Sequence, residues 1–398
     1  MSLDLQAIRA QFPLQDAVYF DNPAGTQVPQ RVIDALVAYY SGFNANIHRG
    51  IHTLAEKATQ AFEQTRTTAQ SFIHAGSAEE IIFTRGVTEG INLVASSYGR
   101  AFVNEGDEII ISTLEHHSNI VPWQLVCEEK KATLKIIPVN RDGEIDLEAF
   151  KTLLSSRTRI VSVNHASNSL GTINPVKEII RLAHAAGAVV LIDGAQAGAH
   201  LEIDVQDLDC DFYCLSSHKM YGPTGVGVLW GRADILAGMP PWQGGGAMIE
   251  RVTFERTTYA PPPQRFEAGT PMIAEAIALH AAVDYVASIG VDQLLDHERT
   301  LARTLREELR KLNSVGLFGP DDSAGIVSFA MEGVHPHDLG TILDEENVAI
   351  RAGHHCAQPL MEALGVPATA RASFGLYSDE SDIAALLRGI ERTQRIFG

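Results

Sequence analysis

The sequence predicts an α/β fold, with a large domain built on a mostly parallel central sheet flanked by helices and a smaller α+β domain after it. From residue 80 onward, short apolar runs alternate with helical patterns, which is the order that parallel strands joined by helices require. The runs are continuous in Val, Ile and Leu, as is typical of strands that are buried on both faces.

The predicted elements follow one another in a simple order. An amphipathic helix is expected in LDLQAIRAQF, and two more over 31–42 and in the stretch that ends at Ile73. The predicted strands are EIIFT, DEIIIS, TLKIIPV, RIVSVNH, AVVLID, FYCLSS and GVGVLWG, separated in places by helices such as 147–155 and 176–186. After Trp230 the alternation stops at two loops rich in Gly and Pro, 240–249 and 259–271.

The C-terminal part has a different pattern, which indicates a second domain. An apolar helix is expected over 272–289 and a charged one over 292–312, followed by the strands GIVSFAM, VAIRAG and ATARASFGL and by terminal helices. We therefore place a large domain at 16–285 and a small domain at 286–398. The segment 1–15 is expected to pack on the small domain.

The composition is that of an ordinary globular chain of 398 residues, 45% of them apolar. A net charge of −18 argues against nucleic acid or an anionic membrane as the main partner, because both need a basic surface. No apolar run approaches the roughly 20 residues that span a bilayer, and the N-terminus lacks the pattern of a signal peptide. The four cysteines include no CxxC pair. We expect a cytoplasmic protein with reduced thiols.

Two charged residues stand at the ends of predicted strands. Lys219 follows the apolar run FYCL, where it is either a solvated charge or an amine whose burial lowers its pKa and lets it form a Schiff base. Asp193 ends AVVLID, where a carboxylate is costly unless it caps the next turn or meets a positive group. A Schiff-base lysine and an aspartate facing the ring nitrogen are what pyridoxal phosphate needs from a protein.

A phosphate site is predicted in TRGVTEGINL, with an ordinary helix start as the alternative. Gly86 permits close backbone approach, and Thr88 supplies a hydroxyl at the start of a helix with free N–H groups. Ser216 and His218 flank Lys219 and are further donors.

Two other groups of side chains are candidates for the site. His116, at the end of the run IIIS, can stack on the cofactor ring. His48 and Arg49 stand at a helix entrance, where they are either surface charge or part of a pocket for an anion.

Ten stretches carry a resemblance to a known family. They are NIHRGIHTL, TRGVTEGINLVA, EHHSNIVPWQ, HASNSLGTINPV, LIDGAQ, SSHKMYGPTGVGVLWG, PPWQGGGAMI, FEAGTP, RAGHHCAQPLM and RASFGLY. The chain resembles the fold-type-I pyridoxal phosphate enzymes of the class V aminotransferase group. More closely it resembles the cysteine desulfurases of the second, SufS-like subgroup, which also includes selenocysteine lyases. It departs from the usual pattern at Pro23, Gly25 and Val28, which leaves substrate preference open.

The resemblance implies roles for the residues around the cofactor. Lys219 forms the Schiff base, Asp193 faces the pyridine nitrogen, and Gln196 faces the ring hydroxyl. His116 stacks on the ring and assists proton transfer. The residues expected to hold the phosphate are Thr88, Ser216, His218 and, from the second subunit of a homodimer, Thr270.

The resemblance also implies a substrate site beside the cofactor. Asn168 and Arg371 bind the amino-acid carboxylate, because the planar fork of arginine makes paired hydrogen bonds to a carboxylate. Asn168 also borders the cofactor, and Arg351, Arg49 and His48 are expected to contact the substrate.

Cys356 in RAGHHCAQP separates a desulfurase from other enzymes of this class. Two alternative interpretations of Cys356 are a buried apolar thiol and a metal ligand together with His354 and His355. Three consecutive side chains rarely converge on one ion, so we expect no metal. A nearby cation such as Arg351 favours the thiolate, which is the nucleophile. Cys356 is therefore predicted to take the sulfur as a persulfide.

The sequence thus predicts conversion of L-cysteine to L-alanine, with sulfur supplied for iron–sulfur clusters or another transfer. The short spacing around Cys356 suits the second subgroup, so a sulfur-accepting protein of the SufE or SufU type is expected. The alternatives are a selenocysteine lyase and, from a different class, a pyridoxal phosphate-binding assembly partner without turnover.

Overall fold

The computed structural model describes residues 3–13 and 17–397. Residues 1–2 and 14–15 of the predicted N-terminal segment, and the predicted domain limits at 16 and 398, lie outside the described residues.

The strands and helices cover most of the described chain. The strands are β1 (Val18–Tyr19), β2 (Ile81–Thr84), β3 (Glu108–Ser112), β4 (Thr133–Ile137), β5 (Thr158–Asn164), β6 (Val189–Asp193), β7 (Phe212–Ser216), β8 (Gly227–Gly231), β9 (Ile249–Val252), β10 (Thr257–Tyr259), β11 (Val315–Phe318), β12 (Ile326–Met331), β13 (Val348–Ala349), β14 (Arg351–Gly353) and β15 (Thr369–Ser373). The helices are α1 (Leu5–Arg9), α2 (Gln30–Gly42), α3 (Thr53–Phe72), α4 (Val87–Val94), α5 (Arg100–Phe102), α6 (Val121–Lys130), α7 (Leu147–Leu153), α8 (Val176–Ala185), α9 (Val205–Leu208), α10 (Ala233–Gly238), α11 (Ile273–Ile289), α12 (Val291–Arg310), α13 (Pro336–Glu345), α14 (Gln358–Leu364) and α15 (Glu380–Phe397).

The large sheet confirms the predicted α/β class. Among the described residues its order is β2-β8-β7-β6-β5-β3-β4, and β8 runs antiparallel to both of its neighbours while the other adjacent pairs are parallel. In the register of β5 and β6, Asn164 stands beside Asp193. The carboxyl ends of these parallel strands therefore meet at one edge, where ligands bind in open α/β sheets.

Helices cover the large sheet on both faces. Ile110 packs into one apolar layer, whereas Ile109 and Ile111 on the same strand pack into the other. Phe62 of α3 belongs to the first layer and Trp123 of α6 to the second. Two buried faces explain why the strands are apolar without alternation.

A second sheet lies in the C-terminal part of the chain, with strand order β11-β12-β15-β14 and antiparallel pairing throughout. Its core includes residues of α12, α13 and α15, such as Leu305, Leu343 and Leu386. The short strand β1 pairs with β13, also in this part of the chain. The sequence had assigned β1 to the large domain, 16–285, because it lies in that part of the chain. Its pairing with β13 was not predicted, since pairing between such distant segments leaves no local pattern. The division at residue 285 stays a prediction.

The N-terminal segment contacts both halves of the molecule. Arg9 donates to Asp379 over 2.8 Å, and Phe12 packs against Tyr221 and Tyr377. The hairpin of β9 and β10, between the two predicted loops, was not predicted from the sequence.

No single helix in residues 3–13 and 17–397 is long and apolar enough to cross a membrane. The helices α11 and α12 would pass that test only as a pair, across a bend of 74°.

A buried ion pair joins α12 to the segment after β6. His200 Nδ1 lies 2.6 Å from Glu298 Oε2, and the Tyr221 hydroxyl lies 3.4 Å from Glu298 Oε1. Burial by itself lowers the pKa of His200, but the Glu298 carboxylate outweighs burial and the pKa is raised. The pair therefore contributes stability that is present below the ordinary histidine pKa of about 6.5 and is lost as the pH rises through the folded value.

Replacing Glu298→Gln should lower the free energy of unfolding near pH 6.5 by about 1–3 kcal/mol, because a buried partner is lost. It should also flatten the pH dependence above about pH 6.5, where wild-type stability falls. Urea unfolding across this range measures both effects. Glu308→Gln, which removes an exposed pair with Lys311 on the same helix, is the matched control. Parallel pH profiles of Glu298→Gln and wild type would contradict the account.

Candidate active site

A cavity of about 190 Å³ lies at the carboxyl ends of β5, β6 and β7. Nine of the residues singled out in the sequence line it, namely Thr88, His116, Asn168, Asp193, Gln196, Ser216, His218, Lys219 and Arg351. Residues from six separate stretches of the chain thus meet at one place.

Lys219 is the last residue of a 3₁₀ turn, Ser217–Lys219, that follows β7 directly. Burial lowers the pKa of its amine to about 8, while Asp193 acts in the opposite direction and Arg371 and Arg351 reinforce the shift. A free amine is therefore accessible near neutral pH, and a free amine is the form that attacks an aldehyde.

Asp193 ends β6 and is only 3% exposed. One carboxylate oxygen accepts the backbone N–H of Ala195 over 2.9 Å. Burial raises the pKa of Asp193, against the opposing effects of that hydrogen bond and of Lys219. A positive ring nitrogen in the cavity would restore the charged form of this carboxylate.

His116 and Gln196 line the same cavity. His116 Nδ1 accepts the N–H of Ser118 over 3.1 Å, so the neutral ring carries its proton on Nε2. Burial lowers the pKa of His116 to about 3, and the Lys219 charge adds to the shift. The ring is thus neutral at working pH. The Gln196 amide donates to the carbonyl of Pro23 over 3.0 Å, which ties the divergent N-terminal loop to the cavity.

The start of α4 forms a cradle beside Ser216. Gly86 has φ of +136°, and a Cβ added to it would lie 3.2 Å from Ser216 Oγ. Ser216 Oγ accepts the N–H of Val87 over 2.9 Å, and Thr88 faces the cavity one residue further on. Backbone N–H groups and hydroxyls at a helix start suit a phosphate. The amine, the buried carboxylate and this cradle together fit pyridoxal phosphate.

Cys356 lies on the turn between β14 and α14, with φ of +56°. Arg351 Nη2 lies 3.5 Å from its Sγ, and Arg351 also lines the cavity. Cys356 is partly exposed, whereas Cys127, Cys210 and Cys214 are buried. The cysteine is therefore linked to the cavity through one guanidinium.

Arg371 on β15 is fully buried and is not among the residues that line the cavity. It donates to the carbonyl of Asn168 over 2.7 Å and to Asp21 over 2.6 Å, while its Nε–H has no partner among the described residues. Burial lowers the pKa of Arg371 to about 10, although Asp21 opposes the shift. The Nε–H is therefore one of the guanidinium donors left for a further acceptor.

Three predicted residues lie away from the cavity within a single chain. His48 is exposed and lies 2.9 Å from Glu63, and Arg49 is exposed beside it. Thr270 is exposed in a separate pocket that also contains Trp242. Their predicted roles therefore depend on a second chain and stay predictions.

Three residues at the site were not singled out from the sequence. Asp21 follows the apolar stretch VYF, the same signal that marked Asp193, but its partner Arg371 is 350 positions away. Glu115 is fully buried, and burial raises its pKa to about 8. It accepts bonds from Asn119 over 2.7 Å and from the N–H of Asn164 over 3.2 Å. His117 contacts the Cys356 turn, and no local pattern indicates that contact.

Comparison with known proteins agrees with this site. Residues 18–386 match the family model described as aminotransferase class-V. A probable cysteine desulfurase of Halalkalibacterium halodurans is 50% identical, with 100% of this chain and 99% of that protein covered. The cysteine desulfurase of Dickeya dadantii is 49% identical, with 99% and 98% covered. The crystal structure of the cysteine desulfurase CsdA from Escherichia coli, in an S-sulfonic acid form, has a TM-score of 0.95 at 39% identity, covering 100% of both chains.

The chain therefore belongs to the aminotransferase class-V family. Its fold is that of the pyridoxal phosphate-dependent cysteine desulfurases. It is an enzyme, and pyridoxal phosphate is its cofactor.

Replacing Gly86→Ala should weaken pyridoxal phosphate binding about ten-fold, a loss within the roughly 1–3 kcal/mol of a strained backbone residue. The added Cβ forces the left-handed residue and the neighbouring Ser216 to shift. Titration of the cofactor-free protein, followed by absorbance, measures the dissociation constant. Gly106→Ala is the matched control, because Gly106 has φ of +84° and nothing within 4 Å of its added Cβ. Equal dissociation constants for the two variants would contradict the phosphate cradle.

Proposed function

We propose that this protein is a cysteine desulfurase that converts L-cysteine to L-alanine and holds the released sulfur on Cys356 as a persulfide. The contact that carries the proposal is made by Arg351, which lines the Lys219 cavity and lies 3.5 Å from Cys356 Sγ. Relatives at about half identity over the full chain are cysteine desulfurases.

The cofactor, when bound, supplies an electron sink for the pair left at the substrate Cα when its proton is removed. Lys219 holds the cofactor, and its amine, with a pKa of about 8, then takes the Cα proton once the substrate amine has replaced it. His116 remains neutral and close to Lys219, so it adds no competing positive charge. Asp193 would hold its negative charge toward a protonated ring nitrogen.

Cys356 performs the step that is specific to sulfur transfer. Its thiolate attacks the substrate sulfur, an S–S bond forms, and the Cβ–S bond breaks with its electron pair left on carbon. Protonation at Cβ and return of a proton from Lys219 to Cα complete L-alanine, so one thiol and one cysteine give one persulfide and one alanine. The positive charge of Arg351 beside Sγ favours the attacking form.

The substrate carboxylate is assigned to Arg371 and Asn168, with Arg351 nearby. Arg371 is fully buried and its Nε–H has no partner among the described residues. Its guanidinium is therefore suited to bind a substrate carboxylate. His48 and Arg49 are proposed to approach the substrate from a second subunit, since both lie on the surface of one chain.

The persulfide is proposed to pass to an acceptor protein of the SufE or SufU type, for iron–sulfur clusters or another sulfur transfer. Cys356 lies on a short turn held against the body of the protein rather than on a long loop, so the acceptor must come to it. The large and small domains and the cytoplasmic location expected from the sequence also stay predictions.

Cys356→Ala should keep the absorbance of the bound cofactor and lose alanine formation from cysteine, because the cavity is intact and the nucleophile is gone. Alanine release with cysteine as substrate is the measurement. Cys127→Ala, which alters a buried thiol in an apolar layer, is the control and should retain turnover. Normal alanine release by Cys356→Ala would overturn the assignment. A wild-type turnover on selenocysteine far above that on cysteine would instead favour a selenocysteine lyase.

Thr270→Val and Lys219→Ala should complement each other in mixed dimers. If Thr270 serves the site of the second subunit, a mixed dimer contains one site with both Lys219 and Thr270 intact. Each variant alone should lose most activity, and unfolding and refolding them together should restore about a quarter of the wild-type value, since half of the dimers are mixed and each has one good site. Activity no greater than the sum of the separate variants would show that Thr270 does not act across an interface.

A further inference from the structure

The turn that carries Cys356 has an unusual backbone. His355 and Cys356 have φ of +54° and +56°, and Gly353 has φ of +128°. Side-chain-bearing residues in the left-handed region cost of order 1 kcal/mol or more, so they persist only when surrounding contacts hold them. The contacts around this turn therefore decide where the Cys356 sulfur is presented.

His117 contacts the turn on both sides of the cysteine. Its backbone N–H donates to the carbonyl of Cys356 over 2.8 Å. Its ring Nε2 accepts the backbone N–H of Gln358 over 3.2 Å. Gln358 is the first residue of α14, and that helix start has no side-chain cap of its own. The imidazole thus satisfies a free N–H group that no neighbouring side chain reaches.

Other contacts hold the residue before the cysteine. Asn168 donates to the carbonyl of His355 over 2.7 Å, and His355 Nε2 lies 2.8 Å from the Thr369 hydroxyl. These bonds fix the entry of the turn. Its exit, from Cys356 to Gln358, is held to the large sheet through His117.

We propose that His117 is a positioning residue that fixes the exit of the Cys356 turn through acceptance of the Gln358 N–H by its neutral ring. The inference rests on the proposed function, in which Cys356 is the nucleophile. A neutral imidazole has one acceptor nitrogen, whereas the protonated ring has none. Protonation of His117 would therefore release the Gln358 N–H and leave the exit of the turn held by the backbone bond to Cys356 alone.

The surroundings of His117 keep the ring neutral. Burial lowers the pKa of His117, and the neighbouring His354 on the turn adds to the shift. The other titratable groups beside it are His116, whose ring centroid lies 6.2 Å away, and Cys356 itself. Since the pKa lies below the ordinary value, the contact is present at neutral pH and is lost on acidification.

Hydrogen exchange of the Gln358 amide in the cofactor-loaded enzyme tests the proposal. His117→Ala should speed this exchange about five-fold, as expected when one neutral hydrogen bond is lost. His117→Gln, whose amide oxygen reaches a similar position, should keep most of the protection. The Val366 amide, bonded to Met361 at the other end of α14, should be unchanged in both variants. Unchanged Gln358 exchange in His117→Ala, or equal loss in the two variants, would overturn the proposal.

A second measurement varies the pH. In the wild-type enzyme, Gln358 protection, corrected for intrinsic exchange, should fall on acidification below the ordinary histidine pKa of about 6.5, and in His117→Gln it should not. The alkylation rate of Cys356, corrected for its thiolate fraction, should change over the same pH range in wild type only. A pH-independent Gln358 protection would count against the ring contact. These readouts do not require turnover, so an enzyme that releases no alanine would refute the proposed function and leave this test intact.

Discussion

The burial of an amine and a carboxylate at one edge of a parallel sheet is the constraint on which the rest of this structure depends. Asp193 ends β6, Lys219 ends the 3₁₀ turn after the neighbouring strand β7, and each is costly to bury alone. Their opposite effects on each other's pKa show that they share one electrostatic environment. A cofactor with a positive ring nitrogen and an aldehyde satisfies both groups together, which explains why the cavity is built around them.

The second constraint is the meeting of the two halves of the chain over that cavity. Arg351 and Arg371 come from the C-terminal sheet. Arg351 contacts the Cys356 sulfur, and Arg371 donates to the carbonyl of Asn168. Arg371 is held by Asp21, from the N-terminal segment, and by the Asn168 carbonyl. The guanidiniums of Arg371, which is buried, and Arg351, which is half-buried, also lower the pKa of Lys219. The reactive groups therefore depend on the packing of distant parts of the sequence.

The central sheet was predicted from the sequence because each of its strands is a continuous run of apolar residues, which can be recognised without knowledge of distant contacts. Continuous apolar strands, each ending in a polar residue, identify Asp193 and Lys219 without any long-range information. Pairing over long distances leaves no such pattern, so the partnership of β1 with β13 was not predicted. The hairpin of β9 and β10 was missed for a related reason, since its strands are short and largely exposed.

The sequence by itself determined the fold class and the cofactor chemistry and predicted which cysteine is the nucleophile, because these follow from residue types at strand ends and from motifs that cover the chain. Only the tertiary structure decided which side chains touch. It placed Asp21 against Arg371, Arg351 against the Cys356 sulfur and His117 against the turn beside it. The first and third of these contacts join residues hundreds of positions apart, and the second joins residues five positions apart across a turn. Neither spacing matches the periodicity of a helix or a strand, so no local pattern predicts these contacts.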